Sequence, residues 1–117
     1  MAASRESRPP FPYPYKKGRH EVAKADARRL RKRAIAALGS DGIGRSAAYH
    51  REIFDQILAD PRCVGIRFYP GIDDKGEVTM LYVGMDAKGN NLTSLIGDLP
   101  FRCPPFCPPT RDGVLDL

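Results

Sequence analysis

The stretch that most constrains the fold is residues 63–92, CVGIRFYPGIDDKGEVTMLYVGMDAKGNNL, because nowhere else does the chain carry strong and repeated strand signals. Val64, Ile66 and Phe68 put an apolar residue at every second position, with Arg67 and Tyr69 on the opposite face. Val78-Thr79-Met80-Leu81-Tyr82-Val83 continues in β-rich composition, so two paired strands are predicted. Between them Asp73-Asp74-Lys75-Gly76 supplies polar turn residues and then a glycine suited to positive φ, and Asp86-Ala87-Lys88-Gly89 repeats the arrangement one strand later. The segment predicts a meander of two or three antiparallel strands, with Leu92-Thr93-Ser94-Leu95-Ile96-Gly97 as the candidate short third strand and turns that close on Gly76 and Gly89.

Two helices are predicted ahead of it. The first covers residues 21–38, with Gly39 placed as its C-terminal cap. On a 3.6-residue period Ala23, Ala27, Leu30, Ala34, Ala37 and Leu38 form a slim apolar stripe, while Arg28, Arg29, Lys32 and Arg33 lie away from it. The second covers residues 46–59, stopped by Pro61, with Tyr49, His50, Ile53, Phe54, Ile57 and Leu58 on the face expected to cover the sheet. The fold class is therefore α+β: two helices packed on a small antiparallel β-meander, with extended proline-rich N- and C-terminal arms. A chain of 117 residues, 42% of them apolar, suits one such domain. Its expected divisions are a proline-rich basic arm at 1–18, an α+β domain at 19–99 and a proline-rich, cysteine-containing tail at 100–117.

The arms carry the strongest hint of function. Pro9-Pro10-Phe11-Pro12-Tyr13-Pro14-Tyr15 and Pro100-Phe101-Arg102-Cys103-Pro104-Pro105-Phe106-Cys107-Pro108-Pro109 are too rich in proline for helix or regular strand, so neither can form a core of its own. Phe11, Tyr13, Tyr15, Phe101 and Phe106 are half of the five Phe and five Tyr in the chain. They are the expected partner-binding residues, packing on another copy or on a subunit of a larger assembly. The last residues, Gly113-Val114-Leu115-Asp116-Leu117, have an apolar pattern suited to an edge strand or to insertion in a neighbour.

Charge opens a second reading. Residues 1–59 hold 13 Lys and Arg against 6 Asp and Glu, whereas residues 60–117 hold 6 against 8. The basic excess thus sits in the N-terminal half, where Lys16, Lys17, Arg28, Arg29, Lys32 and Arg33 offer a surface for nucleic-acid phosphates. A solvated helix face accounts for the same residues without any ligand. No apolar run reaches the roughly 18 residues of a membrane span, and the N-terminus lacks a signal-peptide core; membrane contact is not expected and the cytoplasm is the expected compartment.

The three cysteines open a third. Cys103-Pro-Pro-Phe-Cys107 has neither the spacing nor the following helix of a thioredoxin-like redox site. Zinc would need four ligands, and Cys63, Cys103 and Cys107 with His50 or His20 are the obvious set; a local Cys103–Cys107 bridge and buried structural thiols are the alternatives. No cofactor is otherwise called for. The chain has no P-loop, no G-x-G-x-x-G after a strand, no G-x-S-x-G and no histidine pair at helical spacing, so nothing assembles a nucleophile, a base and an oxyanion donor, and a non-enzymatic protein is expected.

Gly65-Ile66-Arg67-Phe68-Tyr69-Pro70-Gly71, Val83-Gly84-Met85-Asp86-Ala87-Lys88-Gly89-Asn90-Asn91-Leu92 and Cys103-Pro104-Pro105-Phe106-Cys107 together resemble a group of small uncharacterised bacterial proteins that share a G-I-R-x-Y-x-G, V-G-x-x-x-x-G-x-x-L and C-P-P-x-C pattern. The resemblance covers residues 53–107. It implies a common domain there, and brings with it no activity and no catalytic residue.

Overall fold

An aspartate whose carboxylate can reach back to the N–H groups two and four residues on, followed by a glycine, builds a tight hairpin. The chain uses this device twice. In the computed structural model, which describes residue 13, residues 16–39 and residues 46–117, Asp73 Oδ1 accepts the N–H groups of Lys75 and Glu77, and Asp86 Oδ1 those of Lys88 and Asn90, all at 2.9 Å. Gly76 and Gly89 each donate back to the aspartate carbonyl at 2.9 Å with φ of 81° and 84°, as the turn chemistry predicts. The backbone donors of Glu77 and Lys75, with the charge of Arg102, hold the Asp73 carboxyl below its ordinary range.

These turns join β2 (Cys63–Ile72), β3 (Val78–Asp86) and β4 (Asn91–Gly97) into an antiparallel sheet ordered β2-β3-β4. Register starts from the bonded pair Asp73 and Glu77 and alternates, so Ile72↔Val78 and Pro70↔Met80 fall on non-bonded positions. Pro70 therefore faces the open edge with the N–H it lacks, and β2 tolerates it without losing a rung. Along β4 the register slips: Val83 faces Ile96, but Gly84 faces Leu92 where an unbroken ladder would give Leu95.

The sheet's covered face centres on Tyr82, which is 0% exposed. Its ring lies parallel to Phe54 at 4.9 Å, edge-on to Tyr49 at 4.9 Å, and tilted against Phe68 at 5.7 Å. Gly97, its partner on β4, explains how so large a ring fits: a Cβ there would lie 2.1 Å from the ring. Phe54 belongs to α2 (Arg51–Leu58), whose buried Ile57 rests over Gly84. Among the described residues, only Ile57, Thr79, Tyr82, Val83, Gly84, Gly97 and Cys103 are buried. The core is thin for a chain of this length.

Three expectations need correction. The helix expected over 46–59 is confined to α2, because residues 46–48 form a strand, β1 (Ser46–Ala48), that pairs antiparallel with β5 (Phe101–Cys103) in the register Ser46↔Cys103. A non-local pairing has overridden local helix preference. The same pairing shows that the proline-rich tail does contain regular structure, placed just ahead of Pro104 where no ladder N–H is missing. Residues 113–117 add no edge strand; Asp112 Oδ1 accepts the N–H groups of Val114, Leu115 and Asp116 at 2.7, 2.8 and 3.1 Å and folds the chain end into a turn.

That turn meets α1 (Lys24–Leu38), which begins three residues later than predicted and ends as predicted, with Gly39 at φ 76° and its N–H on the Ile35 carbonyl. Arg28 Nε donates to the Gly113 carbonyl at 3.0 Å and Arg31 Nε to that of Leu115 at 3.1 Å. No α1 residue is buried; Ala27, Arg31, Ala34 and Ile35 are half-covered, while Leu30 and Leu38 of the predicted stripe are exposed. The helix is a brace for the chain end, and α2 supplies the cover of the sheet.

Candidate interaction surface

A three-residue strand paired to another three-residue strand has little to hold it in place, so β5 depends on its side chains. Arg102 provides the first anchor: its guanidinium donates to the Val78 carbonyl and pairs with Asp73 at 3.2 Å and Glu77 at 3.4 Å, fixing β5 to the first hairpin. Burial of Cys103, 1% exposed, provides the second, and its disulfide to Cys107, with the two Cα atoms 4.5 Å apart, closes the loop that follows β5. Between the sulfurs Pro104, Pro105 and Phe106 stand exposed. Phe106 meets Phe101 edge-to-face at 5.2 Å, and Phe101 meets His50 in the same manner at 5.4 Å. Phe101 nevertheless remains 41% and Phe106 58% exposed. The result is a partly exposed aromatic surface in which Phe106 stands on a covalently closed loop and Phe101 on the strand that leads into it.

Of the five residues expected to bind a partner, Phe101 and Phe106 are thus brought together. Phe11 and Tyr15 lie outside the described residues. Tyr13 is turned to its own domain, its hydroxyl accepting from Arg67 Nη2 at 3.2 Å. The basic set is divided: Lys16 and Lys17 are exposed at a turn, Arg28 holds Gly113, Arg29 pairs with Asp26 at 3.6 Å, and Lys32 and Arg33 face solvent.

The zinc set is overturned by the disulfide, since Cys103 and Cys107 are bonded to each other and have no thiolate to give a metal. Cys63 sits in the sheet with its Sγ donating to the Gly65 carbonyl at 3.2 Å. His50 precedes α2 instead of lying mid-stripe, exposed against Phe101. Among the described residues no group of three or more His, Cys, Asp or Glu is placed to hold a metal ion, and no helix is long and apolar enough to cross a membrane.

Two features escaped sequence reasoning. Arg67 Nη1 donates to the Gly89 carbonyl at 3.0 Å and to Asn91 Oδ1 at 2.7 Å, and Asn91 Nδ2 donates to the Tyr69 hydroxyl at 2.8 Å. Those donors lower the Tyr69 pKa and tie β2 to the second turn. An open groove of about 590 Å³ also runs beside the end of α2, floored by Ile57, Gly84, Leu92 and Leu95. Asp60 and Arg62 on its rim pair with each other at 2.8 Å, and Arg62 holds the Asp60 pKa at about 2, so each satisfies the other's charge. Arg67 alternates with Ile66 and Phe68 in sequence, which marks its face but not its reach across two strands. No family model, curated protein or solved structure matches the chain.

Proposed function

We propose that the protein is a non-enzymatic assembly module that binds another protein chain through the surface formed by His50, Phe101 and Phe106. The observation that carries the reading is that two phenylalanines stay 41% and 58% exposed, Phe101 on a strand held by its pairing and the Arg102 ion pairs and Phe106 on a loop closed by a disulfide. An aromatic anchor fixed before binding loses little conformational entropy when it docks. Each such ring buries roughly 150–250 Å², whereas a stable interface takes about 800 Å² per partner. The phenylalanines are therefore anchors, and Pro104, Pro105 and neighbouring apolar side chains complete the contact. The thin core supports the same reading, because Phe68, Ile72 and Ile96 also remain exposed.

The test is a photo-activated benzophenone amino acid placed at Phe106 in the source cells, with the same group at Lys88 in the second turn as control. The expected outcome is a discrete covalent adduct from position 106, to a second copy or another protein, and none from position 88. Equal yields from both positions, or none from either, contradict the reading.

A further inference from the structure

We infer that Cys107 is a thiol-exchange site, at which a dithiol reductant opens the aromatic surface; the consequence for binding rests on the proposed function, whereas the exchange itself does not. The two cysteines are placed unequally. Cys103 is buried at the end of β5, and Cys107 lies in a run from 104 to 113 in which every residue is exposed. A thiolate approaches along the S–S axis, so access decides which sulfur it attacks. Attack at Cys107 is open from solvent, and attack at Cys103 is blocked by the packing that buries it.

One sulfur of the dithiol bonds to Cys107 Sγ, the Cys103–Cys107 bond breaks, and its electron pair goes to Cys103 Sγ, which takes a proton and remains in place as a neutral thiol. The second sulfur of the dithiol then attacks the first, closing a cyclic disulfide and releasing Cys107 as a thiol. Two electrons and two protons pass from the dithiol to the cysteines.

The structural effect is confined by what else holds the loop. The backbone N–H groups of Phe106 and Cys107 donate to the carbonyls of Arg102 and Pro105, within the same short segment. The pairing of Cys103 with Ser46 and the ion pairs of Arg102 do not run through the sulfur–sulfur bond. Phe106 loses its covalent tether and with it the fixed contact to Phe101.

The test uses the full chain carrying Cys63→Ser, exposed to glutathione as a monothiol probe and quenched with N-ethylmaleimide, followed by peptide mapping and amide exchange. The expected result is a glutathione adduct on Cys107 at about tenfold the rate of any adduct on Cys103, with β2, β3 and β4 fully protected. Equal labelling, preference for Cys103, or reaction only when the sheet also loses protection overturns the inference. Repeating the position-106 cross-link in dithiothreitol separates the two claims: a cross-link lost with reduction supports the switch, and one that persists after Cys107 is shown reduced overturns it. Failure of the cross-link in both states strikes the proposed function and leaves the exchange to be decided by the mapping.

Discussion

The two sheets of this molecule are held together in different ways. In β2-β3-β4 each connection is a five-residue turn in which an aspartate and a glycine do all the geometric work, so neighbours in sequence become neighbours in space. In β1-β5 the strands join residues 46–48 to 101–103, Arg102 ties so short a ladder to the first hairpin, and a disulfide closes the loop that follows β5. The first kind of sheet serves as a scaffold. The second positions an exposed surface, and is expected to loosen without dissolving the scaffold.

That contrast is broken most severely at Gly97. Alanine there drives a Cβ into the buried Tyr82 ring, and overpacking of this kind is expected to cost about 3 kcal/mol, measured as a loss in denaturant midpoint. Removing the clasp with Cys103→Ser/Cys107→Ser is expected to cost about 2 kcal/mol, the loop-closure entropy of a ring this small. Amide exchange should locate that loss in residues 101–107, with the three-stranded sheet unchanged. Loss of protection throughout β3 would show that the two sheets are not separable. Valine at Gly76 or Gly89, both at positive φ, should cost about 1 kcal/mol or more each in thermal melts, and similarly, since the two turns share one design.

Smaller effects sharpen the comparison. The Tyr82 hydroxyl is buried and finds no hydrogen-bond partner among the described residues, and burial raises its pKa. Tyr82→Phe should therefore leave stability unchanged or raise it by up to about 1 kcal/mol. Acid acts on both regions. Asp73, Asp60 and Asp112 have folded pKa values below the ordinary 3.8, the Asp60 value about 2. Their contribution is complete above that ordinary value and is lost as pH falls through the folded values. Exchange-detected opening of the first hairpin and of residues 112–116 should thus begin below about pH 4, and removing Asp112 with Asp112→Asn should weaken it at the chain end alone.

What the sequence made legible follows the same division. The meander, its turns and the Gly39 cap depend on residues a few positions apart, and each could be read directly from Asp73, Gly76, Asp86, Gly89 and Gly39. Residues 46–48 were misread as helix because their structure is decided by Phe101–Cys103, more than fifty positions away, and no local pattern encodes that pairing. Gly97 looked like the end of a strand, when its lack of a side chain is what admits Tyr82. Phe101 and Phe106 were legible as aromatics without a core, but the partnership with His50 was not, since that histidine was assigned to a helix face that it does not occupy. The cysteines left bridge, metal and thiol open; the approach of Cys103 to Cys107 decides for the bridge.

The central claim is that the clasped aromatic surface holds another chain. It is tested most directly by light scattering on the protein purified natively from its source, beside a Phe101→Ser/Phe106→Ser variant purified in the same way. The parent is expected to elute above the 13.0 kDa of one chain, as a multimer or with a bound partner. The variant should elute as a single chain, with amide protection of β2, β3 and β4 unchanged. A parent that elutes alone as a single chain, or a variant that keeps the parent's mass, would contradict it.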